Sequence, residues 1–452
     1  MTIVNDLRRV PVAPIAAPPV GEWVEDSSFG GTRIHRVTDA AAEGVPGVGI
    51  VPMYTNTQPW NADESLMILY EQKRGWRLHL GQPPFTFVQY LNFTDPPAQP
   101  EVVHWSTSKI HELTYLGVSG RVYRVDPLGL QEVYRIPKAP SQSVLMESHA
   151  RPSWDDRIWG FGTWTDDSRT DKRLIVVDLV AGKELMNLSY AQIGGNPVTD
   201  KGTAGIPMIS PDGQRCVVFS QPTGRFYVLS LNPLKYLRVL PADWTFEHQT
   251  FGKVSLPQYN FEQDFYYSKT QGSTKNYLPG LSPAYLLLSN LEVGVVPPSL
   301  GYEVAWTSQT LKYAKGPDGT FPFQYPTGVH LTAIAYRDPN WIWLSMMPPA
   351  KGGYVYGGEP LECFQQELWR VNLVTSTLER VCHHRSAALA MNNLNEYWQE
   401  PHPAVSPSGR FCLFGSDWSF SLPEGQRASK VDSWVAEVGL TQSDATIRME
   451  GL

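Results

Sequence analysis

Cysteine is scarce in this 452-residue chain: Cys216, Cys363, Cys382 and Cys412 are the four, and they stand far apart. None is spaced like a zinc or redox motif, so neither a disulfide framework nor a cysteine metal centre organises the fold. Cys216 and Cys412 occupy matching strand positions in two similar segments, which predicts buried thiols. Charge is sparse too, at 18%, and no run of one sign is long enough for a disordered tail. A net charge of −7 lacks the basic footprint of a nucleic-acid binder. No apolar run reaches the length of a membrane-spanning helix. The N-terminus, "MTIVNDLRRVPVAPIAAPPVGEW", has its one short apolar stretch broken by prolines, against a secretory leader. These absences predict synthesis in the cytoplasm, with no nucleic-acid or membrane partner. A virion component released by lysis would read the same way.

What is abundant is punctuation. Thirty-seven glycines and 38 prolines are scattered among aromatic and β-branched residues, as in a turn-rich all-β chain. Four stretches share one grammar, a small or proline-led entry, a polar turn and an apolar strand. They are "QPWNADESLMILYE" from Gln58, "ARPSWDDRIWGFGTW" from Ala150, "GIPMISPDGQRCVVFS" from Gly205 and "PHPAVSPSGRFCLFGS" from Pro401. Looser relatives begin at Val102 and Thr332. Second hairpins follow, such as "KRLIVVDLVAGKELMNL" from Lys172 and "QELWRVNLVTSTLERVC" from Gln366. Four strands per unit, repeated about every forty to seventy residues, predict β-propeller blades. The long interval between Pro207 and Thr332 needs one more head, placed near "YNFEQDFYYSKT" from Tyr259, which makes seven blades. "TRIHRVTD" from Thr32 is a strand without a blade of its own, and "DSWVAEVG" from Asp432 ends without a partner. Pairing them closes the ring and removes an exposed edge. The expected organisation is an extension over 1–25, a single propeller over 26–440 and a tail over 441–452.

The segments "RIHRVTD", "NADESLMIL" and "PHPAVSPSGRFCLFGSDW" resemble TolB-type propellers, and more narrowly the cytoplasmic oligogalacturonate lyases. The resemblance implies a divalent metal, commonly manganese, at the central channel. A His-Pro-His pair, a Gln just before it and a His from another blade would hold it, and a His at a Gly-His-Pro head would be the base. Carried over position by position, the second histidine of the pair is His402 and the first is Glu400. The Gln position falls on Tyr397, with Gln399 out of register. The base position is Ile206, and the remaining metal histidine falls near Thr332, two positions from His330. On this register one imidazole and one carboxylate remain, too few for the metal, and an isoleucine cannot take a proton.

The first residues of propeller heads face the axis, so Gln58, His104, His149, Arg151, Glu400 and His402 are the candidate ligand-binding set. They would recognise an anionic or hydroxylated ligand, with Arg151 on a carboxylate. The alternative is that they satisfy strand ends and channel waters. No catalytic residue is assigned; a metal-free lyase set would be His149, Arg151 and His402 with Tyr397. His383 and His384 follow an outer strand and are expected at the surface. The acidic "WTDDSRTDKR" from Trp164 lacks regular calcium-loop spacing and reads as a solvated hairpin tip. Of the abundant aromatics, Trp105, Trp154, Trp159 and Trp343 sit at repeat-equivalent positions and read as packing between blades. No G-x-S-x-G elbow or phosphate-cradling glycine loop occurs. Two functions follow. The first is a non-catalytic propeller binding a glycan or protein partner, as part of an oligomer or of a cell-surface or phage particle, without cofactor. The second is a uronate-specific polysaccharide lyase acting by β-elimination, the one reading under which Mn or Ca enters as a cofactor.

Overall fold

The computed structural model describes residues 10–126, 129–145, 151–196, 206–220, 223, 225–239, 244–256, 261–270, 283–287, 330–345, 366–372, 378–386, 400–419 and 430–439. Their strands form seven antiparallel sheets, the blades of a β-propeller. Blade 1 comprises Ile50–Val51, Leu66–Glu71, Gly75–Leu80 and Phe87–Tyr90. Blade 2 comprises Val103–Trp105, Leu113–Leu116, Arg121–Asp126 and Gly129–Arg135. In blade 3 the strands are Val144–Leu145, Ile158–Trp164, Lys172–Asp178 and Lys183–Ser189. Blade 4 contains Met208–Ile209, Arg215–Ser220, Arg225–Leu231 and Leu234–Val239. The fifth sheet has three described strands, Trp244–Leu256, Phe261–Thr270 and Pro283–Leu287. The segment expected as its head is therefore its middle strand, because two long strands replace the short entry-and-turn pattern used elsewhere. Blade 6 comprises His330–Thr332, Trp341–Ser345, Glu367–Asn372 and Leu378–His383.

Blade 7 closes the ring. Its own strands are Ala404–Val405, Phe411–Ser416 and Asp432–Glu437, and the fourth is Thr32–Arg36 from the N-terminus. The register pairs Ile34 with Ala436 and Arg36 with Trp434, which is the closure the unpaired strands predict. Trp23–Asp26 adds a fifth, outermost strand. The chain ahead of it is also fastened, because Trp418 Nε1 donates to Ile15 O at 2.9 Å.

The head grammar has a local cause. In four heads a Ser or Asn oxygen accepts the backbone N–H five residues on: Asn61 from Leu66, Ser153 from Ile158, Ser210 from Arg215 and Ser406 from Phe411. The residue three past that Ser or Asn closes each turn with positive φ. It is Gly213 (69°) and Gly409 (73°) in two heads, and Glu64 (62°) and Asp156 (56°) in the others. Between blades, apolar faces interlock. Trp343, Leu368 and Cys382 of blade 6 pack with Val405, Cys412 and Trp434 of blade 7. Trp159 and Phe161 of blade 3 pack with Leu116 and Val122 of blade 2. Each such buried side chain stabilises the ring by about 1.5–3 kcal/mol. Cys216, Cys382 and Cys412 are free and buried as expected, and burial pushes each thiol pKa up. Cys363 lies outside the described residues.

His383 and His384 are fully buried, not at the surface. The N-terminal segment covers them: Asp26 accepts from His383 N at 2.9 Å and from Arg385 Nη1 at 3.0 Å, and a hydrogen bond links His383 Nε2 to Val10 O. The sequence pattern of the outer strand does not reveal that a segment hundreds of residues away lies over it.

Candidate functional site

The innermost strand of each blade borders the axis, so the entry and turn of each head set what the axis offers. At the entry end, His330 begins the first strand of blade 6, and Glu400 and His402 lead into that of blade 7. These three side chains converge, with one ligand atom from each lying within 4.8 Å of the others. His330 Nε2 and Glu400 Oε2 are in direct hydrogen-bonding contact, and the His330 and His402 rings lie 4.1 Å apart, centroid to centroid. Tyr54 of the blade 1 entry packs its ring at 5.9 Å from His330 and 5.3 Å from His402.

His402 takes positive φ (43°), a conformation that costs an ordinary residue energy and is retained where surroundings or function demand it. Burial first, and then the neighbouring His330, drive its pKa well below the ordinary value, so the imidazole is neutral. A neutral imidazole is the form that binds metal. Two imidazoles and one carboxylate on one spot suit a divalent first-row cation such as manganese or iron. Among the described residues this is the one such grouping of His, Cys, Asp and Glu. The donor count read from sequence is thus corrected. His330, two positions from the register carried over in the sequence, meets Glu400 and His402 at the entry to blades 6 and 7. Tyr397 lies outside the described residues, so this set rests on three residues.

Other predicted residues separate into distinct roles. Gln58 is saturated: its amide donates to Ile334 O at 3.2 Å and Val405 O at 3.0 Å, and its oxygen accepts from Trp60 N at 3.1 Å. It ties blade 1 to blades 6 and 7 across the axis. Ile206, at the position of the proposed base, is buried in the apolar cluster between blades 2 and 3. His149 lies outside the described residues. The acidic tip of blade 3 is closed on itself, with Asp166 accepting from Thr170 N and Asp171 N.

His104 and Arg151 belong to the heads of blades 2 and 3. Each stands two residues before the turn serine of its head, a position held by Pro59, Met208 and Ala404 in blades 1, 4 and 7. Two adjacent blades thus place polar groups where three others place apolar ones. Arg151 is 8% exposed and His104 5%. The Arg151 guanidinium stacks 5.4 Å from the Trp154 ring centroid, and Trp154 meets Tyr336 of blade 6 at 6.1 Å. Trp154 therefore belongs to the axis, whereas Trp105, Trp159 and Trp343 are buried between blades as expected.

No family model matches the chain, and no curated protein matches it. Solved structures do. An oligogalacturonate lyase in complex with manganese superposes with TM-score 0.53 at 15% identity, over 97% of this chain and 99% of that one. An oligogalacturonate lyase from Vibrio parahaemolyticus gives 0.52 at 13% identity, over 92% and 96%. The chain is structurally similar to these propellers at low sequence identity, and at that identity the likeness shows the fold alone.

Proposed function

We propose that this protein is a propeller that binds a carboxylated glycan of the uronate class at its axial mouth, through a divalent cation held by His330, Glu400 and His402. The observation that carries the reading is the convergence of those three side chains within 4.8 Å at the entry to blades 6 and 7. Bound there, the cation would supply positive charge to neutralise a sugar carboxylate. Neutral His402 and the His330–Glu400 pair would leave the remaining coordination positions to ligand oxygens. Tyr54 packs its buried ring against the two imidazoles and would hold them in place. Binding without cleavage is favoured by Ile206, which puts an apolar side chain where the related lyases are expected to carry their base.

The second reading, a β-eliminating uronate lyase, is favoured by the same cation set together with the manganese-bound lyase among the similar structures. The test is titration of Mn²⁺ and then of oligogalacturonate into the protein, with ultraviolet absorbance of the unsaturated product followed in parallel. Saturable Mn²⁺ binding, cation-dependent oligosaccharide binding and a flat absorbance trace support the binding reading. Rising absorbance abolished by His402→Ala would establish the lyase. Oligosaccharide affinity unchanged by a chelator, or no binding at all, would overturn the cation site as the binding centre.

A further inference from the structure

We infer that the axial channel holds a second, cation-independent subsite for a monoanionic carboxylate, centred on the Arg151 guanidinium with the Tyr336 hydroxyl and His104 Nε2 as further donors. It goes beyond the cation site and uses none of its residues. The first observation is an uncompensated buried charge. Arg151 is 8% exposed, its Nη2 has no hydrogen-bond partner, and among the described residues no carboxylate forms an ion pair with it. Folded chains seldom bury a guanidinium this way, because leaving water without hydrogen bonds in return costs several kcal/mol. Burial accordingly lowers the Arg151 pKa to about 10, opposed by Asp156 and then Tyr336. Arginine remains charged at neutral pH even so.

The second observation is that neighbouring groups share the condition. Tyr336 Oη and His104 Nε2 are both buried without a hydrogen-bond partner. Burial, and then the charge of Arg151, bring the His104 pKa down to about 3, so it is neutral and able to donate from one nitrogen. Burial pushes the Tyr336 pKa up, which keeps its proton in place as a donor. All three groups therefore offer hydrogens, and none carries negative charge.

The charge balance selects the ligand. Arg151 contributes the buried positive charge at the centre, with the exposed Arg337 also acting on Tyr336. Asp156, the acid that acts on Arg151, is already engaged by Ser106 Oγ at 2.8 Å and Thr107 N at 2.9 Å. A single negative charge on a planar, two-oxygen group matches a guanidinium fork. A dianion would put excess negative charge beside Asp156. The chemistry is that of a sugar acid or a small organic acid.

The experiment uses the full-length protein in chelator, so that the cation site cannot contribute. Galacturonate and acetate are titrated by calorimetry and by thermal shift, with galactose and inorganic phosphate as controls. Saturable binding of both carboxylates, no response to galactose and weaker binding of phosphate are expected. Arg151→Met should weaken galacturonate at least about tenfold, a loss typical of a charged hydrogen bond. It should also melt no lower than the wild type without ligand, because it removes an unsatisfied buried charge. Tyr336→Phe should weaken binding several-fold without unfolding, and decides the matter if Arg151→Met does not fold. No carboxylate binding by the wild type, equal binding by Arg151→Met, unchanged affinity in Tyr336→Phe or a preference for phosphate would each overturn the inference. Because the cation is absent throughout, these results leave the metal-dependent reading to its own test.

Discussion

Of the buried arginines that stack on tryptophans, Arg385 and Arg151 differ in what answers their charge. Arg385 lies 5.0 Å from the Trp418 ring centroid and donates to Asp26 Oδ2 and, at 2.8 Å, to His383 O. Arg151 has the same aromatic neighbour in Trp154 but no anion in hydrogen-bonding contact. The N-terminal strand delivers Asp26 to the first site as the ring closes, so that charge is part of the architecture. At the axis the described chain delivers no such partner. A buried cation answered by its own fold is part of the structure, while one left unanswered by the described chain is the ground for the anion subsite proposed at Arg151.

The largest effect that would sharpen this contrast is expected from Asp26→Asn. It leaves Arg385 buried without its carboxylate, and breaking such a pair costs about 3–5 kcal/mol, read as a lower urea midpoint. A folded Asp26→Asn protein as stable as the wild type would erase the distinction between the two arginines. Arg385→Met should likewise destabilise, where Arg151→Met should not. The pH dependence has a definite sign. Burial raises the Asp26 pKa, but the hydrogen bond from His383 and the charge of Arg385 outweigh it and hold the carboxyl well below the usual range. A depressed acid contributes stability that is fully present above its unfolded pKa of about 4 and is lost as pH falls below it. Wild type should therefore lose stability on acidification faster than Asp26→Asn does.

Next in size is the cation. Mn²⁺ at about one hundred times its dissociation constant should stabilise the protein by about 2.7 kcal/mol. The effect should vanish in His402→Ala and in Glu400→Gln, as followed by thermal melting with and without chelator. The smallest effect concerns the heads that carry both sites. Ser153→Ala and Ser406→Ala each remove one side-chain acceptor from a turn N–H, and each should cost about 1 kcal/mol. Ser153→Ala should also disturb the neighbouring Arg151, so galacturonate affinity in chelator should fall in that variant and not in Ser406→Ala.

Much of the fold is legible from local pattern. The Ser or Asn that accepts a turn N–H, the glycines with positive φ and the alternating hairpins all act over a few residues, so they repeat visibly in sequence. The two orphan strands at Thr32 and Asp432 announce the closure for the same reason. The head expected near Tyr259 falls on the strand Phe261–Thr270 of the fifth sheet, whose first two described strands are long and do not show the entry-and-turn pattern. The site was legible only in part. Glu400 and His402 are two residues apart and could be read together. His330 is 70 residues from Glu400, and its place depends on where the first strand of blade 6 begins. Gln58 looked like a ligand residue because its type is polar and its position axial; two hydrogen bonds to other heads and one within its own make it a clasp.

The sequence by itself determined the strand repeat, the turn chemistry and the ring closure, since each is set by residues close in the chain or by an unpaired strand edge. Tertiary structure alone decided which polar side chains are answered and which are not. Asp26 meets Arg385 only after the ring has closed, and His330 meets Glu400 and His402 only once blade 6 packs against blade 7. Charge compensation inside a protein depends on distances of a few ångströms between residues hundreds of positions apart, and no local pattern encodes them.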